Sequence, residues 1–301
     1  MTTFAEVIGD PIAHSKSPLI HRFWLDALGI AGDYRATRVA PLSVTPALSR
    51  GPASSSAGQG SGTPSQARGD GEGVDLATYI AQRRADPDWR GCNVTIPHKV
   101  AVMDLVDDPG DVRATIGAMN TIVRQPDGSV IGTNTDAAGF WAPIAGLDLA
   151  DQPVAVIGAG GAARAVLFAL ARVGVGRVTI LNRSPLKAAG LLATFGLKGD
   201  AVSLDVPLPP ATLVVNASAL GMTGQPPLDL DLSSLPVDAI VYDLVYAPLE
   251  TQLLAAARAR ELETVDGLDM LIGQAALAFE LFFGAEPPRE RDGELRGLLT
   301  R

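Results

Sequence analysis

Apolar positions along this chain switch repeatedly between a short continuous run and a helical period. Val154-Ala155-Val156-Ile157 is such a run and predicts a buried strand. Gly158-Ala159-Gly160-Gly161-Ala162 interrupts it, residues 162–173 carry apolar residues at helical spacing, and residues 177–181 form a second run. The pattern predicts a β-α-β unit. Downstream, residues 211–215, 239–242 and 262–265 read as further strands, with a helix at 248–260 between the last two. Strands alternating with helices predict a parallel sheet covered on both faces. A long apolar helix at 267–284 and a charged helix from about 289 to 299 close the chain.

The first half has the same grammar with weaker signals. Glu6-Val7-Ile8-Gly9 reads as a strand broken by Asp10-Pro11. Ser17-Pro18 predicts a helix entrance with Ser17 as N-cap, and Leu19, Ile20, Phe23, Trp24 and Leu28 supply its apolar stripe up to Gly29. Residues 34–39 predict a second strand, 74–85 a helix, 91–96 a strand ending at Pro97, 101–106 a short helix, and 118–124 with 130–131 a hairpin across Pro126-Asp127-Gly128. Asn134-Thr135-Asp136 precedes a helical stretch through Phe140, Trp141 and Ile144 that leads into the β-α-β unit. Residues 51–73 change character: Gly, Ser, Pro, Ala and Gln dominate, and large apolar residues are almost absent. Such a stretch cannot offset its ordering entropy and reads as a flexible insertion.

The glycines of the β-α-β unit define a chemistry. Gly158 and Gly160 permit a tight turn and close approach of backbone to a pyrophosphate, whose charge then meets the N–H groups opening the helix. Gly158-x-Gly160-x-x-Ala163 meets the dinucleotide fingerprint between strand and helix, where the fingerprint has meaning. An Asp or Glu at the end of the second strand would select NAD by accepting from the ribose 2′-hydroxyl. Asn182-Arg183-Ser184 stands there instead, and a guanidinium beside a hydroxyl suits a 2′-phosphate, so NADP is favoured. Ser184 also fits the N-cap of the next helix, with Pro185 in its first turn.

Composition narrows the class without naming an activity. A chain of 301 residues with 47% hydrophobic content suits two globular domains. No apolar run is long enough to span a bilayer, and the first residues lack a secretory signal, so cytoplasmic residence is expected. The single cysteine, Cys92, excludes a disulfide framework and a thiolate cluster. His14, His21 and His98 have no metal-ligand spacing, and no metal is expected. A net charge of −9 argues against a general nucleic-acid surface.

The remaining polar clusters gain meaning from their order. Gly9-Asp10-Pro11-Ile12-Ala13-His14-Ser15-Lys16-Ser17-Pro18, Asn93-Val94-Thr95-Ile96-Pro97-His98-Lys99, Gly117-Ala118-Met119-Asn120-Thr121, Asn134-Thr135-Asp136, the Gly158 to Ala162 turn, Asn182-Arg183-Ser184, Asn216-Ala217-Ser218 and Gly267-Leu268-Asp269-Met270-Leu271-x-x-Gln274-Ala275 follow one another across nearly the whole chain. In this order they closely resemble the shikimate dehydrogenase family.

That resemblance implies NADPH-dependent, reversible reduction of 3-dehydroshikimate to shikimate in chorismate and aromatic amino-acid biosynthesis. It implies Lys99 and Asp136 as the catalytic pair, Ser15 and Ser17 on the substrate carboxylate, and Asn93, Thr95, Asn120 and Gln274 on the ring hydroxyls. Tyr242 ends a strand close to where the substrate would lie, with core packing an equal alternative. Gly158, Ala159, Gly160, Gly161, Ala162, Asn182, Arg183, Ser184, Gly267 and Met270 are implied as cofactor contacts, with Asn216, Ala217 and Ser218 near the nicotinamide. The expected architecture is α/β with two domains: a Rossmann-type, doubly wound NADP-binding domain over 137–266, and a discontinuous substrate domain over 1–136 completed by 267–301.

The chain departs from the family pattern in two respects. Ala137 stands where a glycine usually follows Asn-Thr-Asp, and residues 51–73 have no usual counterpart. The alternative activities are quinate or aminoshikimate dehydrogenation, against which Arg183 weighs. A non-catalytic NADP-binding regulatory module is the alternative outside enzymology, and it would not need Lys99 and Asp136. The expected partner is a small molecule, with no nucleic acid or membrane, and a homodimer is left open.

Overall fold

The computed structural model describes residues 2–41 and 74–300, so the expected flexible insertion at 51–73 lies outside the described residues. The chain opens with β1 (Thr3–Gly9), α1 (Ser17–Leu28), β2 (Gly32–Arg38), α2 (Leu76–Arg84) and β3 (Trp89–Val94). A short helix, α3 (Val112–Thr115), precedes the hairpin of β4 (Thr121–Arg124) and β5 (Val130–Thr133). These strands make one sheet in the order β2-β1-β3-β4-β5, parallel through β3 and antiparallel beyond it.

After α4 (Asp136–Trp141) comes a second sheet. Its elements are β6 (Val154–Ile157), α5 (Gly161–Val173), β7 (Val178–Leu181), α6 (Pro185–Phe195), β8 (Gly199–Val202), β9 (Leu213–Asn216), β10 (Ile240–Asp243), α7 (Gln252–Ala259) and β11 (Glu263–Val265). All six strands are parallel, in the order β11-β10-β9-β6-β7-β8. The order reverses between β6 and β9, which is where ligands bind in doubly wound sheets. Both faces are covered, so the inner strands β6, β9 and β10 are buried along their whole length, whereas the edge strands β8 and β11 are partly exposed. Val154 and Val156 pack with α5 and α6, whereas Ala155 and Ile157 pack with Leu253, Leu254 and Ala257 of α7.

The chain ends in α8 (Gly267–Phe283) and α9 (Asp292–Leu299). α8 serves both sheets. Its Ile272, Ala275 and Phe279 bury against Ile20, Trp24 and Leu25 of α1, and its Ala278 and Phe282 join Ala5, Val7 and Tyr34. Met270, near its start, belongs to the core of the second sheet.

Several boundaries differ from expectation for identifiable reasons. Ser17 is not the N-cap of α1; Lys16 holds that position without a side-chain bond, and Ser17 is the first helical residue. Ser15 explains the shift, because its Oγ accepts from the Ser17 amide at 3.3 Å. Ser184 does occupy the cap position of α6 but makes no side-chain cap bond. The helix expected over 248–260 starts later, at α7, where the Thr251 hydroxyl accepts from Leu254 N at 3.2 Å. The helical stretch expected after Asn134-Thr135-Asp136 and through Ile144 gives way after Trp141 to a 3-10 turn, Ala142–Ile144, whose Pro143 has no N–H to donate. Residues Ala101–Asp104 and Arg289–Arg291 are likewise 3-10 turns.

One charge is buried within the first sheet. Glu6 is fully enclosed on β1, where Arg83 Nε reaches Oε1 at 2.5 Å, Arg83 Nη2 reaches Oε2 at 3.1 Å and Tyr79 OH donates to Oε1 at 3.1 Å. A buried carboxylate requires such partners. The pair therefore anchors α2, the first helix after residue 73, to the inner strand β1.

Candidate active site

Strand direction gathers the polar motifs of the first half at one edge. β1 and β3 end there, the antiparallel β4 begins there, and β5 ends there; one row across the sheet reads Val7, Asn93, Thr121, Thr133. The loops beyond that row carry Ser15, Lys99, Asn120 and Asp136. Backbone bonds hold these loops in register: Met119 N donates to Lys99 O at 2.7 Å, Val94 N to Asn120 O at 2.7 Å and Asn120 N to Thr133 O at 3.2 Å.

A directed chain of hydrogen bonds runs through the buried side chains. Burial pushes the Tyr34 phenol well above its usual range, so it remains a donor, and it gives its proton to Asn93 Oδ1 at 2.6 Å. That fixes the Asn93 amide, whose Nδ2 donates to Thr121 Oγ1 at 3.1 Å. Thr121 in turn donates to Asn120 Oδ1 at 3.1 Å, which also accepts Thr135 N at 2.7 Å. Asn120 Nδ2 is thereby aimed at Asp136 Oδ1, 2.9 Å away, with Gln274 Oε1 at 3.3 Å. Lys99 Nζ meets the other oxygen, Asp136 Oδ2, at 2.5 Å. Each donor finds an acceptor.

Helix packing completes this cluster. Gly139, one turn after Asp136, has no room for a side chain: a Cβ there would lie 2.7 Å from Gln274 Cβ and 2.8 Å from Gln274 N. α4 can therefore press directly on α8. Gln274 Nε2 donates to Leu271 O at 2.9 Å, which turns its oxygen toward Asn120. Ala137, in place of the usual glycine, is helical and nearly buried, so its methyl packs without backbone strain.

The second sheet presents its own row of carboxyl ends, Leu181, Ile157, Asn216 and Asp243. Gly158 follows with φ +103°, a conformation suited to glycine, and a Cβ there would stand 3.0 Å from Ala217 O and Ser218 Cβ. Ala159 is buried, the space over Gly160 is open, and α5 begins at Gly161 with Ala162 in its first turn. First-turn amides lack intrahelical partners and make an anion site. The exposed Arg183 follows β7 and forms no ion pair among the described residues, while Asn182 Nδ2 donates to Ser184 O at 3.0 Å. This set fits a phosphorylated dinucleotide: a close backbone approach, an open helix start and a free guanidinium at the second strand end.

The two edges meet. A Cβ on Gly161 would lie 3.3 Å from Lys99 Cδ, so the nucleotide turn abuts the lysine stem. Arg164 of α5 also reaches Ile116 O at 3.4 Å.

Not every expected site residue joins the Lys99 cluster. Ser15 and Ser17 stand at the entrance of α1, and Thr95 packs its methyl against Gly9. Tyr242 is fully buried, stacked on Phe140 with centroids 5.2 Å apart, and its hydroxyl has no partner among the described residues. The core alternative for Tyr242 describes this placement. Tyr246 instead lines a cavity of about 200 Å³ with Lys16, Thr223 and Leu268, and burial raises its phenol pKa. Gly267 is buried under Leu244 O, and Met270 is nearly buried. Tyr34, Thr121, Thr135, Arg164 and Tyr246 are not among the residues assigned a role from sequence; of these, Thr121, inside the Gly117 to Thr121 block, and Thr135, inside Asn-Thr-Asp, carry a local signal.

A two-domain dinucleotide-binding α/β fold with a lysine–carboxylate pair at the cleft defines a class of oxidoreductases. Within it, comparison with known proteins is specific. The "Shikimate dehydrogenase substrate binding domain" family matches residues 7–64 and 72–122, "Shikimate / quinate 5-dehydrogenase" matches 142–207, and "Shikimate 5'-dehydrogenase C-terminal domain" matches 267–291. A shikimate dehydrogenase (NADP(+)) of Sphingopyxis alaskensis is 71% identical over 99% of this chain and 97% of its own. The crystal structure of a Thermus thermophilus shikimate 5-dehydrogenase with NADP(H) and shikimate superposes with a TM-score of 0.76 at 34% identity, covering 99% of this chain and 100% of that one. A Corynebacterium glutamicum quinate dehydrogenase in complex with NAD gives 0.76 at 30% identity, covering 99% of each chain. This chain belongs to the shikimate dehydrogenase family.

Proposed function

We propose that this protein catalyses the reversible NADP-linked interconversion of shikimate and 3-dehydroshikimate, a step of chorismate and aromatic amino-acid biosynthesis. The observation that carries the reading is the Lys99–Asp136 pair held by Asn120 and set against Gly161 of the nucleotide turn. NADP(H), when bound, supplies or accepts the hydride at the reacting carbon.

The chain's own groups perform the rest. Lys99 gives a proton to the carbonyl oxygen in the reducing direction and takes it back in the oxidising direction. Asp136 keeps the ammonium aimed, with its second oxygen tied to Asn120. Asn93, Thr95, Asn120 and Gln274 bind ring hydroxyls, and Ser15 and Ser17 hold the carboxylate. Gly158 to Ala162 receive the pyrophosphate, Asn182, Arg183 and Ser184 the 2′-phosphate, and Asn216 to Ser218 border the nicotinamide, with Gly267 and Met270 as further cofactor contacts.

The same reading divides the chain into a substrate domain, 1–136 with 267–301, and a cofactor domain, 137–266. The separate sheets and the packing of α8 on α1 support it. Among the described residues, no helix is long and apolar enough to cross a membrane.

Incubation of the purified protein with shikimate and NADP+ is the test. The reading predicts NADPH absorbance rising in step with 3-dehydroshikimate recovered by chromatography. NADP+ binding with no product would favour a non-catalytic module.

A further inference from the structure

Asp243 is the last residue of β10 and is fully buried, yet the chemistry assigned above does not use it. Its Oδ1 accepts from Asn216 Nδ2 at 2.8 Å and Val245 N at 3.0 Å, and its Oδ2 accepts from Thr251 Oγ1 at 2.7 Å. All three partners are donors, so only an acceptor with two oxygens serves them together.

One partner leads to the cofactor side. Asn216 Oδ1 accepts both Ser218 N, at 3.1 Å, and Ser218 Oγ, at 2.7 Å, while its Nδ2 also donates to Leu220 O at 3.0 Å. The turn so formed presses on Gly158, leaving no room there for a side chain. The other partners lead to the substrate side. Val245 and Thr251 bracket the segment that carries Tyr246 and Pro248 into the cavity beside Lys16, the residue between Ser15 and Ser17. Thr223 N donates to Ala247 O at 2.7 Å, a further tie between the two loops.

Resting on the proposed reaction, we propose that Asp243 is a positioning residue whose single carboxylate sets the loop over the nucleotide turn and the loop beside the substrate carboxylate site. It touches neither ligand. Its effect passes through Asn216 on one side and through Val245 and Thr251 on the other.

Asp243→Ala, Thr251→Val and Thr251→Ser test this in the full chain, with NADP+ affinity from direct titration and KM and kcat from initial rates with shikimate. Asp243→Ala is expected to weaken NADP+ binding and raise the shikimate KM together, each about tenfold, the scale of losing a charge-assisted hydrogen bond. Thr251→Val should raise only the shikimate KM, leaving NADP+ affinity and kcat within about twofold, and Thr251→Ser should restore it. A lowered Tm with both constants at wild-type values would reduce Asp243 to a stabilising residue and overturn the proposal. If Asp243→Ala does not fold, the Thr251 pair decides alone: an unchanged KM in Thr251→Val overturns it. Failure of the reaction assignment looks different, as wild-type protein that binds NADP+ and turns over no shikimate, and NADP+ affinity in Asp243→Ala then decides.

Discussion

Lys99 Nζ stands 2.5 Å from Asp136 Oδ2, although 37 residues separate them in the chain. Parallel β1 and β3 and the β4–β5 hairpin bring the two loops together, and Asn120 occupies the second carboxylate oxygen at 2.9 Å. Asp136 is thus committed on both sides, and its freedom to do anything except hold the ammonium is small.

Lys99→Ala is therefore expected to lower turnover by about 10² to 10⁴, the range for a general acid–base group, with NADP+ affinity near wild type. Asp136→Asn keeps the shape and loses the charge, so turnover falls as well. The double variant should be little worse than Lys99→Ala alone if the pair acts as a unit. Steady-state rates of the three variants decide, and fully multiplicative losses would separate the two roles.

Arg183 is exposed and free of ion pairs among the described residues, so it is available to a phosphate. Arg183→Ala should weaken NADP+ by about 1.5 to 3 kcal/mol, roughly tenfold to a hundredfold, and NAD+ much less. Titration of both cofactors checks this; equal losses would remove the 2′-phosphate contact.

Gly139→Ala asks whether the α4–α8 approach matters for substrate. The new methyl would sit 2.9 Å from Met270 O and closer still to Gln274, which cannot move without leaving Asn120. Overpacking of this kind costs about 1 to 3 kcal/mol. Denaturant unfolding should register that loss, and the shikimate KM should rise more than the NADP+ Kd.

His21 predicts an acid sensitivity. The ring is buried, stacked on Tyr34 at 3.9 Å, and neither nitrogen has a partner among the described residues; burial lowers its pKa from 6.5 to about 3. The unfolded chain thus takes the proton first as pH falls. Stability is fully present above 6.5 and is lost progressively below it, by about 2 kcal/mol at pH 5. His21→Phe keeps the stacking and removes the titration, so its unfolding free energy should fall less than that of wild type between pH 7 and pH 5. Parallel slopes for the two proteins would show that His21 is not the sensor.

Much of this was legible in the sequence because it is written locally. The β6–α5–β7 unit announces itself through apolar runs around Gly158 and Gly160, and the ordered blocks from Ser15 to Gln274 carry the family likeness. What escaped is either weakly apolar or distant. β8 is a half-exposed edge strand, Gly199–Val202, with no apolar run to mark it. Tyr34 reads as one more strand residue until folding brings it, 59 positions away, to Asn93. Tyr242 and Tyr246 are both aromatic residues near a strand end. Only packing distinguishes the one stacked on Phe140 from the one facing Lys16. Asp243 is hidden by the same strand, as a carboxylate whose side-chain donors, Asn216 and Thr251, stand 27 and 8 positions away.

The central claim is that these two edges together oxidise shikimate with NADP+. Initial rates for shikimate, quinate and aminoshikimate, each with NADP+ and with NAD+, test it most directly. The account predicts the highest kcat/KM for shikimate with NADP+, and a marked loss when either the substrate or the cofactor is exchanged. A preference for quinate with NAD+, or no turnover with any pair, would contradict it.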